Sequence, residues 1–189
     1  MSTFTVAGNS YTINQSLGYT NLLTTAYHLE MLVMVMSYIA GIVMIIRGFA
    51  LYKAFGQNIN QATRPGEVAG PAVYIIIGVF LFYFPSIFKV GLYTLYGTIT
   101  PTDLVYKGSD TSRNWDNLYT LINRYCRLIG VISFFRGLLL ISRAGEQGTQ
   151  PGSITKGMIH LVAGIMIYNI GGTILVFQYT FGITKVGGA

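Results

Sequence analysis

The stretch Gly41-Ile-Val-Met-Ile-Ile-Arg47-Gly48 returns 89 residues later as Gly130-Val-Ile-Ser-Phe-Phe-Arg136-Gly137. In each copy two glycines stand seven residues apart, an arginine precedes the second, and apolar residues fill most of the interval. Each copy is followed by a basic residue (Lys53, Arg143), a polar stretch, a Pro-Gly pair (Pro65-Gly66, Pro151-Gly152) and a long uncharged run. The offset falls from 89 to 86 across the connector, so the second copy is three residues shorter there. Beyond it Pro71 matches Gly157, Gly78 matches Gly164 and Pro85 matches Gly171. A chain written twice is expected to fold as two like units, which constrains the architecture before any local propensity is considered.

Those units belong in a membrane. Of 189 residues, 52% are hydrophobic and only 10% charged, too little charge to keep a soluble domain of this size wetted on all sides. Four segments reach the length of about 20 apolar residues that a hydrocarbon core of about 30 Å requires: residues 31–52, 71–95, 121–142 and 157–183. The second and fourth are the cleanest, because Val68 to Phe88 and Gly157 to Thr184 hold no Lys, Arg, Asp or Glu. Arg47 interrupts the first, and Arg136 leaves only Leu128 to Phe135 unbroken in the third. The expected fold is an all-α integral membrane protein, with four transmembrane helices arranged as two parallel-repeated helical hairpins and an N-terminal amphipathic extension.

In chain order, residues 1–30 read as a polar tail and interfacial helix, 31–97 as the first hairpin, 98–120 as a polar excursion and 121–184 as the second hairpin. Residues 1–13 carry no charge and many Ser, Thr and Asn, and read as an extended tail. From Asn14 or Thr20 a helix is expected, because Leu17, Leu22, Ala26, Leu29 and Val33 recur at three- to five-residue spacing. His28 and Glu30 then fall where the helix enters the membrane. The excursion intersperses Asp103, Asp110 and Asp116 with Lys107 and Arg113, the pattern of a solvated surface.

The glycines are the first candidate contacts. Gly41 and Gly48 with Ser37, and Gly130 and Gly137 with Ser133, put small residues near one face of their helices. Gly78 with Pro71 and Pro85, and Gly157, Gly164 and Gly171, recur at sevens in the other two. In lipid, small residues in register let a second backbone approach closely. Asn169 reads as an interhelical hydrogen-bonding group, and His160 as interfacial.

Arg47 and Arg136, with Lys53 and Arg143 about two turns further on, are candidates for contact with lipid or a partner. A long cationic side chain near a helix C-terminus can reach headgroup phosphates. An arginine in an apolar run also commonly faces protein or water, and both readings stay open.

Charge and cysteine usage exclude other classes. The net charge of +6 is spread singly over helix ends and connectors, without the cluster a phosphate track needs, so anionic lipid and not nucleic acid is the expected counter-charge. One cysteine, Cys126, excludes an intrachain disulfide, and the two histidines have no ligand-spaced partner. The acidic residues of the excursion have no nucleophile or base beside them in the sequence. Neither an enzyme nor a cofactor is expected. Residues 1–46 hold no Lys or Arg, so no cleavable signal is expected. Arg47, Lys53 and Arg64, and then Arg136, Arg143 and Lys156, favour cytoplasmic connectors, with both termini and the excursion outside; five basic residues between Lys89 and Arg127 oppose this.

The run Gln150-Pro151-Gly152-Ser-Ile-Thr-Lys156-Gly157-Met-Ile-His160-Leu-Val-Ala-Gly164-Ile-Met-Ile-Tyr-Asn169-Ile resembles the small inner-membrane proteins of type IVB secretion and conjugation systems. These are the IcmC/DotE and IcmD/DotP proteins of Dot/Icm machines and the TraQ and TraR proteins of related conjugative plasmids. The likeness covers residues 125–180 and, through the repeat, 35–90. It implies a structural subunit of a machine that moves protein or DNA across the bacterial inner membrane. Such a subunit would assemble as a homo- or hetero-oligomer with other membrane subunits and carry no known enzymatic activity. A small-solute transporter or channel is the alternative. It would want ionisable residues in mid-membrane, where the sequence offers Asn169 and the arginines but no Asp or Glu.

Overall fold

The computed structural model describes residues 2–6, 9–13, 15–57, 69–104, 113–143 and 153–182. Both Pro-Gly connectors and residues 105–112 of the excursion, with Lys107 and Asp110, lie outside them. The described residues form six helices behind a two-stranded antiparallel hairpin, β1 (Ser2–Val6) and β2 (Asn9–Ile13), in which Ser2 faces Ile13 and Phe4 faces Tyr11. The extended tail is thus a paired one. Thr3, Thr5, Val6, Thr12 and Ile13 are β-branched, and Phe4 and Tyr11 aromatic, which is the composition that fits a pleated strand.

α1 (Gln15–Gln57) is a single helix of 43 residues, about 64 Å long at 1.5 Å per residue. No proline occurs before residue 65 to interrupt it, and it runs unbroken through the boundary expected near residue 30. Its stretch Leu17–Ala54 is apolar enough to cross a membrane, and only 11% of its most apolar window is buried inside the protein. α4 (Arg113–Arg143) supplies a second such stretch, Asn117–Arg143. It begins inside the segment expected to be a polar excursion.

The cleanest of the expected spans differ most from expectation. Each is broken, into α2 (Ala69–Phe82) and α3 (Phe84–Tyr96), and into α5 (Ser153–Tyr168) and α6 (Ile170–Thr180), with bends of 87° and 96°. Counting each bent pair as one span gives up to four spans, and counting straight helices gives two. The breaks fall at Tyr83 and Asn169, 86 residues apart, but have different causes. At the first, Pro85 lacks the N–H that would continue the ladder, and its ring clashes with the carbonyl one turn back. At the second, Asn169 Oδ1 accepts the Gly172 N–H at 3.2 Å and caps a new helix. At 14 and 16 residues, α2 and α5 rise about 21 and 24 Å, short of a full hydrocarbon core.

α1 packs on α2 and α4 on α5, and the two hairpins meet along α1 and α4. α1 and α4 run the same way along that contact, since Tyr27 and Glu30 meet Arg124 while Met34 and Val131, each further along its helix, line one cavity. α3 lies between the hairpins, touching α1 and α2 of its own and α5 of the second. Phe84 and Phe88 meet Phe134 edge-on at centroid distances of 5.6 and 5.0 Å, and Phe88 meets Tyr168 at 4.7 Å. These rings, with Leu81, Leu92 and Leu138, form the core.

Candidate functional site

Two regions concentrate unusual geometry. The first is the seam within each hairpin. A methyl group placed on Gly41 would stand 2.8 Å from the Gly78 carbonyl oxygen and 2.7 Å from the Phe82 nitrogen. One on Gly130 would stand 2.6 Å from the Gly164 carbonyl oxygen and 2.7 Å from the Tyr168 nitrogen. One turn pair further along, Gly48 meets Ile75 and the Pro71 carbonyl, and Gly137 meets Leu161 and the Gly157 carbonyl. Backbone therefore lies on backbone at these points, and Cβ is excluded sterically. In the second hairpin Ser133 Oγ also donates to the His160 carbonyl at 3.1 Å, while His160 Nδ1 donates to the Lys156 carbonyl at 2.8 Å. Gly171 lies elsewhere: it packs under the backbone of Thr102, not against a helix.

Arg47, Lys53, Arg136 and Arg143 are all exposed. The Arg47 guanidinium lies 5.4 Å from the centre of the Tyr74 ring, a cation–π contact with a buried ring.

The second region is a polar level toward the N-terminal ends of α1 and α4. Glu30, which the sequence places at a membrane entry, sits inside the continuous apolar stretch of α1 and is 8% exposed. Its carboxylate lies 3.7 Å from the Arg124 guanidinium, which also covers the Tyr27 ring at 5.3 Å. One turn on, Arg127 pairs with Asp103 and lies 6.0 Å from the centre of the Tyr168 ring. Asn123 matches both backbone groups of Leu104, donating to its carbonyl at 3.1 Å and accepting its N–H at 3.2 Å. Asn169 accepts the Thr102 N–H at 2.7 Å. Expected to join helices, Asn169 instead caps α6 and holds a loop. The single Thr173 hydroxyl proton is shared between the Met166 and Asn169 carbonyls, so the Tyr96 hydroxyl, 2.5 Å away, is the donor to Thr173. Residues 102–104 are thus strapped to the second hairpin at consecutive positions, by the backbone of Thr102 and Leu104 and by the carboxylate of Asp103.

Below the Glu30–Arg124 pair is a cavity of about 80 Å³, walled by Met34, Phe84, Phe88 and Val131 with Glu30, Lys89 and Tyr168 at its polar edge. Above the pair a groove of about 410 Å³ opens between Leu23, Thr24, Tyr27 and His28 on α1 and Thr120 and Arg124 on α4. Among the described residues no three His, Cys, Asp or Glu side chains stand close enough to share a metal ion. The chemistry this level offers is charge pairing and hydrogen bonding at the edge of an apolar interior. Of its members the sequence offers Asn169 alone as a contact residue, and places Glu30 and Asp103 at a membrane entry and on a solvated surface. The signal for the rest is the trio Asn123, Arg124 and Arg127 at three- and four-residue spacing, which puts a polar patch on a helix otherwise expected to be apolar.

Comparison with protein families, with curated proteins and with solved structures finds no match to this chain.

Proposed function

We propose that this chain is a structural inner-membrane subunit of a type IVB secretion or conjugative transfer machine, built as two copies of one helical hairpin lying parallel in the bilayer. α1 and α4 cross as straight spans, and α2–α3 and α5–α6 are bent spans. Both connectors face the cytoplasm, and the termini and the strapped loop face the periplasm. The observation that carries this reading is the pair of glycine seams. Their contacts repeat at matched positions, Gly41 on Gly78 and Gly130 on Gly164, and they put backbone against backbone within each helix pair. The large apolar side chains that α1 turns outward, Ile42, Val43, Ile46 and Phe49 among them, support immersion in lipid. The resemblance of residues 150–170 supplies the machine. Arg47, Lys53, Arg136 and Arg143 form the basic cytoplasmic level, where anionic headgroups or an acidic partner subunit neutralise them.

Deletion of the gene from a host that carries such a system tests the proposal. Transfer of protein or plasmid is expected to fall to background and to return with the gene. Normal transfer in the deletion strain would overturn it.

A solute transporter is the second reading, favoured by the buried Glu30 beside a cavity. A cavity of about 80 Å³ suits about two or three waters, far below the volume of ordinary small-molecule sites. The structural reading therefore leads.

A further inference from the structure

The groove between α1 and α4 is bordered by a cation whose hydrogen-bonding capacity the chain leaves open. Arg124 stands 3.7 Å from the Glu30 carboxylate, an ion pair too long for a hydrogen bond, and 5.3 Å from the centre of the Tyr27 ring. Among the described residues no acceptor lies within hydrogen-bond distance of its guanidinium. That group carries five N–H donors in a planar fork, and 29% of the side chain is exposed. Thr24, His28 and Thr120 line the same groove, so an imidazole and two hydroxyls stand around the guanidinium. Its volume of about 410 Å³ lies within the range of about 300–1,000 Å³ that small-ligand clefts occupy.

The charge of this level favours an anion. Three cations, Lys89, Arg124 and Arg127, stand against two carboxylates, Glu30 and Asp103, which leaves one positive charge in excess. An arginine fork meets two phosphate oxygens at once, the geometry for which arginine is preferred over lysine. The surroundings select the kind of phosphate. At the outer end of the groove α1 exposes Thr20, Asn21, Thr24 and Thr25. Just inward it exposes Met31, Leu32 and Val35, at 56%, 57% and 49%. Thr24, His28, Met31, Leu32 and Val35 follow one another at three- and four-residue spacing and so share a helical face. The polar groove therefore continues into an apolar track, which is the polarity of a phospholipid from headgroup to acyl chain.

We infer that this groove binds the phosphodiester of an anionic phospholipid, with Arg124 as its anchor and an acyl chain lying along Met31, Leu32 and Val35. The site lies at the end of the hairpins opposite to Arg47, Lys53, Arg136 and Arg143. Glu30 sits behind Arg124 and competes with the phosphate for it, so the carboxylate sets how tightly the lipid is held. The site requires that the chain lie in lipid and not that it serve a machine, so deletion of the gene and the experiment below fail independently.

Photocross-linking tests the site on the full chain in phosphatidylcholine nanodiscs doped with phosphatidylglycerol that carries a photoreactive headgroup. Adducts are expected on residues 23–28 and 120–124. Unlabelled phosphatidylglycerol should compete, and neither added phosphatidylcholine nor inorganic phosphate should. Glu30→Gln is expected to raise the yield at the groove severalfold by releasing Arg124. Thr24→Asp should lower it about tenfold or more, since like charges brought together at a binding surface are strongly unfavourable. Thr24 is exposed and its hydroxyl bonds the Thr20 carbonyl of its own helix, so the change leaves the fold intact. Thr25→Asp, with the same charge one position away and outside the groove, should leave the yield unchanged. Adducts spread evenly over the exposed segments, or equal losses in Thr24→Asp and Thr25→Asp, would reduce the effect to surface charge and overturn the site. Competition by inorganic phosphate would assign the groove to the free anion, and equal competition by phosphatidylcholine would remove headgroup charge from recognition; either overturns the inference. An unchanged yield in Glu30→Gln would do the same, because Arg124 would not then be the anchor.

Discussion

Gly130 and Gly164 face each other across the second hairpin so closely that a methyl group on either would stand within 2.7 Å of the other's carbonyl oxygen. The opposing atoms are backbone, which cannot rotate aside as a side chain can. The seam therefore acts within one chain: a larger residue separates α4 from α5 before it affects any neighbour.

Gly130→Leu and Gly41→Leu are accordingly expected to destabilise the folded chain itself. Overpacking costs about 1–3 kcal/mol in a well-packed core, and backbone opposition puts these sites at the upper end. Gly18→Ala is the control, since nothing lies within 4 Å of its Cβ position; it should be neutral or slightly stabilising through helix propensity. Unfolding titrations in mixed micelles give the order. Equal stability of all three variants would remove the seam as a determinant of the fold.

Asn169 should govern the strap. Asn169→Leu leaves the Thr102 and Gly172 N–H groups without their acceptor, a loss of about 1–3 kcal/mol for each buried group left unsatisfied. Hydrogen exchange at Thr102 is expected to accelerate by about tenfold or more, since 1.4 kcal/mol is already a factor of ten. Amides in the α1–α2 seam, on the other hairpin, should keep their rates. Unchanged exchange at Thr102 would mean that Asn123 and Arg127 hold the strap without Asn169.

The Glu30–Arg124 pair should be asymmetric. The Glu30 side chain is 10% exposed and that of Arg124 29%, so Arg124→Gln strands the more buried charge, whereas Glu30→Gln leaves a cation that can turn toward the groove. Removing one partner of a buried pair costs up to about 3–5 kcal/mol, and the partial exposure of Arg124 lowers that figure here. A double-mutant cycle read by thermal inactivation should rank Arg124→Gln as the worse single change. The reverse order would mean that Glu30 is solvated by the cavity and not by Arg124.

At the basic level, Arg47→Lys and Arg136→Lys are expected to retain most transfer, because headgroups or an acidic partner read charge more than shape. Arg47→Ala with Arg136→Ala should lose more than either alone. A steep loss with lysine would instead indicate a geometric contact that only the planar guanidinium makes. Normal transfer by the double-alanine variant at normal protein level would contradict any role for the level.

Much of this architecture is written in short-range pattern. Glycine and apolar residues at seven-residue spacing mark where helices approach, and the offsets of 89 and 86 pair Gly41 with Gly130 and Gly78 with Gly164. The bends are less legible. Pro85 signals a break, but at the matched position of the other half the cause is the cap formed by Asn169, whose partner N–H groups belong to Gly172 and to the distant Thr102. No local rule separates a capping Asn in an apolar run from one that joins two helices. Glu30 reads as a residue of the membrane entry because it stands just before the expected span at 31–52, and it is Arg124 from the second hairpin, with the residues of the neighbouring cavity, that surrounds it in the fold. The strap is illegible for the same reason, since residues 102–104 are held by Asn123 and Arg127 on α4 and by Asn169 at the start of α6 and not by their own composition.

The central claim is that two like hairpins lie parallel across one membrane, and the side on which each connector emerges tests it most directly. Gln57→Cys and Gln147→Cys, each on the Cys126→Ser background, should both be protected from an impermeant thiol reagent in intact cells and both be labelled in inverted vesicles. Asn9→Cys should behave in the opposite way. Labelling of Gln57→Cys and Gln147→Cys from opposite sides would make the repeats inverted and contradict the account.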